Sequence, residues 1–362
     1  MKVGVLTMNR IINYGSVLQT YATQYILEKM GCECEIIDYR YPNEFHYTHG
    51  HRRSPIKFKT RLSQWLGLKT QWRKVKKFKK FQRQYLHLSR EYTSPNDIKR
   101  NLPQYDIYMS GSDQVWNPRY IYEDTTFLMD FVPDGKRIVS YASSFSTDEI
   151  PARSWKMYEK MLRRYQHISV REHNGAALVK QLTGREAVVD LDPTLLLSSA
   201  EWVDIAPAKR MVKQPYMLIY ILTYAVGTIP HLAVMVECLR KELGMQTVLI
   251  GKEMDFPCDR VFTDCSPAEF IALVRDADYV LTSSFHGTAF ALNFAKPLTA
   301  IVADDKDDRI MSLLKRTRNE YCAIKADATD SHIRMNRLCD STPSLLESLR
   351  HQSICNLKQS VS

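Results

Sequence analysis

Several things are missing from this chain of 362 residues. No apolar run approaches the ~20 residues that would span a bilayer. The apolar run of residues 1–10 ends at Asn9 and Arg10, too soon for a signal peptide, and reads instead as a first strand. Eight cysteines are present, but none form a C-x-x-C pair and no Cys/His set has zinc spacing. That pattern points to reduced thiols in a cytoplasmic protein without a metal cluster. Neither G-x-x-x-x-G-K-[ST] nor G-x-G-x-x-G occurs, so neither a P-loop nor a dinucleotide cofactor is indicated. Acid is absent from one long stretch: positions 45–90 hold fourteen Lys and Arg and no Asp or Glu. The net charge is +10, so the rest of the chain is acidic on balance and the basicity has a local cause.

What is present is an alternation. Residues 2–7 read as a strand, 14–27 as a helix with apolar positions at 17, 18, 21, 22 and 25, and 35–39 as a second strand. Such a strand–helix–strand unit implies a parallel sheet. After the basic insert, strands are predicted at 105–109, 137–141, 167–170 and 187–190, with helices at about 151–166 and 173–182. Residues 198–215 read as a joint that opens on a capping box, Ser198 with Glu201. A second series follows, with strands at 217–222, 247–250, 260–262, 279–281 and 298–302. Its helices fall at about 228–243, 267–276, 286–295 and 308–317, one of them opened by Ser266, Pro267 and Glu269. A last amphipathic helix is read at 345–350. The fold class is α/β: two doubly wound Rossmann-like domains, 1–197 and 198–330, a basic helical insert at about 45–100, and a helical tail at 331–362.

In such sheets ligands bind beyond the C-terminal strand ends. The unusual polar residues collect there: Asn13, Tyr14, Gly15 and Ser16; Ser112, Asp113 and Trp116; Ser143 and Ser144; Arg171 and Glu172; Asp192; and Ser283, Ser284, Phe285, His286, Gly287 and Thr288. Singly each has a bland explanation. Asn13 and Ser16 can cap a helix, Asp113 and Asp192 can cap turns, Arg171 and Glu172 can pair, and His286 can be a satisfied core residue. Jointly they point to an anion. Helix starts after Tyr14 and Ser284 offer free N–H groups, the hydroxyls of Ser283, Ser284 and Thr288 add donors, and Gly15 and Gly287 permit close approach. Arg171 brings a planar fork for carboxylate or phosphate, and His286 can move a proton near neutral pH.

These segments, in order from residue 1 to about 320, resemble the polysaccharide pyruvyl transferase family. The resemblance implies a glycosyltransferase-B-like pair of domains with the site in the cleft between them. It implies transfer of a pyruvyl group from phosphoenolpyruvate, as co-substrate and with no other cofactor, onto two hydroxyls of a sugar in a capsule or exopolysaccharide unit. The product is a cyclic ketal. Arg171 and His286 correspond to the family's donor residues, with the backbone and hydroxyls of 283–288 beside them. His286 is then the acid, Asp113 the base and Glu172 the second candidate for it. Asn13, Tyr14, Gly15, Ser112 and Trp116 face the sugar. Some relatives carry an arginine two residues before the histidine. Here Ser284 stands there, so phosphate contacts would come from Arg119, Lys252, Arg309 or backbone amides.

Within the basic insert, Trp65, Leu68, Trp72, Val75, Phe78, Phe81 and Tyr85 recur at helical spacing among cations. Such a helix suits peripheral contact of residues 52–83 with an anionic membrane, where a lipid-linked oligosaccharide acceptor would be presented at the inner face. Its bland alternative is a helix docked on the core. Two competing functions use the same residues: a nucleotide-sugar glycosyltransferase and a non-catalytic glycan-binding relative. Binding of nucleic acid by the cations lacks any accompanying recognition motif.

Overall fold

The structure, a computed structural model, describes residues 1–40, 61–121, 124–222, 229–302, 308–328 and 333–362, with backbone alone at 61–69, 120 and 308. Its contacts divide the chain into two compact units. Unit 1 is Met1–Gln64, Lys80–Leu196 and Leu349–Ser362, and unit 2 is Trp65–Lys79 and Leu197–Ser348.

Unit 1 runs β1 (Lys2–Leu6), α1 (Tyr14–Lys29), β2 (Glu33–Ile36), the end of α2 (Arg61–Tyr85), α3 (Pro95–Arg100), β3 (Ile107–Ser110), α4 (Pro118–Ile121), β4 (Arg137–Ser140), α5 (Ala152–Leu162), β5 (Ser169–Val170), α6 (His173–Thr183) and β6 (Val188–Val189). All its paired strands are parallel, in the order β2-β1-β3-β4, and bridges from Val139 to His167 and from Ser143 to Val170 continue that order into the β5-β6 pair. The winding reverses between β1 and β3. The crevice of an open sheet lies at that point.

Unit 2 runs α7 (Ser199–Val203), β7 (Tyr216–Tyr220), α8 (Leu232–Leu243), β8 (Gln246–Ile250), β9 (Arg260–Phe262), α9 (Pro267–Arg275), β10 (Tyr279–Thr282), α10 (Phe285–Asn293), β11 (Leu298–Val302), α11 (Asp308–Arg316) and β12 (Ala323–Lys325). Its six parallel strands lie in the order β12-β11-β10-β7-β8-β9, so the winding reverses between β10 and β7. Both capping boxes expected from the sequence are formed, at Ser198 with Glu201 and at Ser266 with Glu269.

Two expectations change in extent. The last helix, α12, spans Thr342–Val361 and not six residues. The buried positions of its unit 1 part, 350, 353, 357, 360 and 361, keep helical spacing, but three of them are Arg350, Ser353 and Ser360, which hides the stripe from an apolar count. These polar residues are satisfied in unit 1. Arg350 Nε donates to Leu195 O at 2.8 Å, and Ser353 Oγ accepts from Leu191 N at 3.0 Å.

In the insert, the aromatic stripe faces inward from Phe78 on. Phe78 and Phe81 are buried, and Phe81 and Tyr85 pack against Tyr21 with ring centroids 6.1 and 5.8 Å away. Burying these rings removes apolar surface from water within the protein, so they are not available to a bilayer. Trp72 is 64% exposed, with Lys76 Nζ 5.3 Å from its ring. Residues 52–60 of the expected membrane segment lie outside the described residues. Among the described residues no helix is long and apolar enough to cross a membrane.

Candidate functional site

The polar clusters at the strand ends of unit 1 form one network across its switch point. Ser16, in the first turn of α1, donates to Asp113 Oδ2 at 2.5 Å. Gln19 Nε2 donates to Thr7 Oγ1 at 2.8 Å, and Thr7 Oγ1 to Ser112 O at 2.8 Å, so the loops after β1 and β3 are tied together. Asp113 holds φ at +74°, a left-handed conformation that is uncommon and strained for a residue with a side chain. The strain is held by Gln114 N donating to Asp113 Oδ1 at 2.9 Å and by Ser144 N donating to Asp113 O at 3.0 Å.

Arg171 is the hub. Its side chain is 2% exposed, and its Nη1 donates to Asp192 Oδ2 at 2.8 Å, with Asp113 Oδ1 3.9 Å and Glu172 Oε2 4.0 Å away. Burial works against the charged guanidinium, but Asp192, Asp113 and Glu172 outweigh it and raise its pKa above the ordinary arginine value. Asp192 also accepts from Ser112 Oγ at 3.1 Å and, through Oδ1, from Thr194 N and Oγ1. Asp192 therefore closes the turn read from the sequence and in addition anchors Arg171. The sequence offers an ion pair of Arg171 with its neighbour Glu172, whereas the close partner in space is Asp192. Glu172 Oε1 accepts from Ser144 Oγ, Phe145 N and Ser146 N at 2.9, 2.9 and 3.2 Å, which fixes the loop after β4. These bonds commit one carboxylate oxygen to shaping that loop.

The expected acceptor residues divide. Asn13 is partly exposed and its Oδ1 accepts from Ser16 N at 3.3 Å, capping α1. Tyr14 and Gly15, in the first turn of α1, and Ser112, after β3, are buried. Trp116 departs from the expectation. It is fully buried, with ring centroids 5.3 Å from Phe145 and 5.5 Å from Tyr165, so it offers a sugar no face here. An indole carries more apolar area than any other side chain, and the core under the crevice uses it. Thr7 and Gln19 also belong to the network and are not among the polar residues singled out in the sequence. Their signal there is two polar residues on surfaces that otherwise read as core.

In unit 2, β10 ends at Thr282 and α10 begins at Phe285. Ser284 caps the helix, its Oγ accepting from Gly287 N at 3.3 Å, and its carbonyl accepts from Thr288 Oγ1 at 3.1 Å. Ser283 Oγ accepts from Leu222 N at 3.1 Å, tying the ends of β10 and β7 together across the switch point. These hydroxyls are occupied in shaping the turn. Gly287 has a packing cause: a Cβ there would stand 2.3 Å from Thr282 Oγ1 and 3.1 Å from Tyr220 Cδ1. His286 sits in the first turn, 8% exposed, its ring edge-on to Phe285 at 5.2 Å. Of the cations expected near a phosphate, Lys252 follows β8 and Arg309 opens α11, both in unit 2, while Arg119 lies in α4 of unit 1. Among the described residues no group of three or more His, Cys, Asp or Glu is placed to hold a metal.

Comparison with known proteins adds the family and the fold. Residues 13–305 match the model of a family described as polysaccharide pyruvyl transferase. No curated protein matches the chain. Among solved structures, a Listeria monocytogenes protein assigned as a UDP-N-acetylglucosamine 2-epimerase is similar with a TM-score of 0.52 at 10% identity, over 99% of this chain and 91% of that one. The UDP-GlcNAc 2-epimerase of Methanocaldococcus jannaschii gives 0.50 at 9% identity, over 96% and 92%. The heptosyltransferase WaaC of E. coli, with an ADP-heptose analogue, gives 0.43 at 9% identity, over 97% and 99%. The fold is the two-domain, Rossmann-like glycosyltransferase-B type.

Proposed function

Because this chain belongs to the polysaccharide pyruvyl transferase family, we propose that this transferase moves a pyruvyl group from phosphoenolpyruvate onto a sugar of a surface polysaccharide unit. The observation that carries the reading is the family match together with a buried histidine in the first turn of the helix after the switch strand. Helix N-terminal N–H groups favour an anion, and the imidazole beside them handles a proton.

Chemically, His286 gives a proton to the methylene carbon of phosphoenolpyruvate, leaving the central carbon open to attack. One sugar hydroxyl adds there and loses its proton to Asp113. Phosphate then leaves with the C–O electron pair, and the second hydroxyl adds and loses its proton in turn. One proton ends on carbon and one on phosphate, so two C–O bonds form in place of two O–H bonds. Asp113 suits the base because its carboxylate already accepts from a hydroxyl, that of Ser16, the kind of bond a sugar hydroxyl would make. Arg171 and Glu172 act as positioning residues: the first gathers the loops after β3, β5 and β6, the second the loop after β4.

Phosphate release from phosphoenolpyruvate in the presence of polysaccharide repeat-unit oligosaccharides tests this. His286→Ala is expected to lower turnover by 10² or more with an unchanged melting temperature, the usual weight of general acid catalysis. Activity at the wild-type level would remove His286 from the chemistry. Turnover of a nucleotide sugar, with phosphoenolpyruvate inert, would move the chain to glycosyl transfer.

A further inference from the structure

We infer that His351 and Cys355, one turn apart on the outward face of α12, form a two-ligand site for a thiophilic divalent cation such as Zn²⁺. The helix sets the pairing. Both residues lie within α12, and side chains four apart on a helix stand on one face, one above the other. Arg350, Ser353, Leu357 and Ser360 take the buried face, and His351 and Cys355 are exposed. The inward side of the same turns is tied to unit 1 by the bonds of Arg350 to Leu195 O and of Leu191 N to Ser353, joined by Asn356 Nδ2 donating to Asp190 Oδ1 at 2.8 Å. The backbone that carries the pair is therefore anchored independently of any ion.

Cys355 Sγ lies 3.7 Å from His351 Nε2. A tetrahedral zinc ion, with bonds of ~2.3 Å to sulfur and ~2.0–2.1 Å to nitrogen, holds two such atoms roughly 3.5–3.6 Å apart. The donors thus already stand close to the span of one tetrahedral edge, and chelation needs little rearrangement. Their chemistry agrees, because a thiolate with an imidazole suits zinc and related ions rather than magnesium or calcium. Access agrees as well. Cys355 is exposed, whereas Cys32, Cys34, Cys265 and Cys322 are buried and Cys238, Cys258 and Cys339 are half-buried. On binding, the ion takes the place of the thiol proton, which is released to solvent, and accepts the lone pair of Nε2 while the other ring nitrogen keeps its proton. Two protein ligands leave the remaining positions to water, so the ion is exchangeable. A closed structural site would need a larger set, and among the described residues no group of three or more ligands is present. The ion clamps the outward side of turns whose inward side docks on residues 190–195, so occupancy stabilises that docking. Asp192, the anchor of Arg171, lies in the same segment.

Isothermal titration of the reduced, untagged full chain with Zn²⁺ tests the pair, using wild type, Cys355→Ser, His351→Ala and, as a control, Cys339→Ser. Each of the first two variants is expected to weaken zinc binding by about tenfold or more, because a chelate is lost with either ligand, and Cys339→Ser to leave it unchanged. Titration with Co²⁺ gives a second readout: a thiolate-to-cobalt charge-transfer band in wild type that is absent in Cys355→Ser. Without metal, the two variants are expected to melt with wild type, and Zn²⁺ to raise the melting temperature of wild type and Cys339→Ser alone. No zinc binding to wild type, or wild-type affinity in both variants, overturns the inference. Loss in only one of the two variants shows a single-ligand adduct and also overturns it. Binding lost in Cys339→Ser and kept in Cys355→Ser overturns it and places the ion elsewhere.

Discussion

Arg171 illustrates how a residue chosen for its chemistry can be held by its surroundings. A buried guanidinium facing Asp192, Asp113 and Glu172 leaves three carboxylates uncompensated when it is removed. Breaking such a set typically costs ~3–5 kcal/mol. Arg171→Ala is therefore expected to lower stability by that order in a urea titration, before any loss of turnover is considered. Stability within ~0.5 kcal/mol of wild type would show that the guanidinium is not the hub and return it to the donor role read from the resemblance. Gly287 is the other informative single position. Gly287→Ala forces a methyl group onto Thr282 Oγ1, which is itself held by Tyr220 O at 2.6 Å, so overpacking of about 1–3 kcal/mol is expected. Adding Thr282→Ala removes the 2.3 Å contact with Oγ1 but keeps those with the Cβ of 282 and with Tyr220, so the double-mutant cycle should show partial recovery. Additive losses would mean that the glycine serves something other than packing.

At the level of elements, much was legible. Most strands and helices of both units were read from apolar residues at strand or helix spacing, while the short α3, α4 and β12 were not. The caps at Ser198 and Ser266 were read because a capping box is local chemistry. The length of α12 was not, since its inward face uses Arg350, Ser353 and Ser360 to meet the backbone of 191–195 and its own carbonyls, and a periodicity count has no way to know of partners some 155 residues away. The consequence is measurable. Arg350→Met keeps the apolar stem and loses the bond to Leu195 O, for an expected ~1.5–3 kcal/mol. His351→Ala, on the exposed side of the same turn, should cost less than ~0.5 kcal/mol. Equal effects at the two positions would contradict the helix's docking.

For the whole molecule, the basic insert is the element on which membrane contact is to be tested. Its helix cannot be deleted as a test of membrane contact, because Phe78 and Phe81 are core residues. Trp72 and the exposed Lys76, Lys79, Lys80 and Arg83 remain outward. Salt-sensitive sedimentation with anionic vesicles, weakened by Trp72→Ala with no change in melting, is the expected outcome if this face meets lipid headgroups. Sedimentation that ignores both salt and the substitution would leave α2 as a docked element alone.

The sequence by itself determined the two alternating α/β series and the local caps. Both follow from short-range periodicity and local chemistry. Only the tertiary structure decided which residues are already engaged, and with what. Arg171 found Asp192 rather than its neighbour, Trp116 went to the core, Glu172 to a loop, and Lys77 met Glu269, 192 residues further along the chain. Hydrogen bonds and charges act over a few ångströms in space, and sequence order does not record which chains of atoms come within that distance.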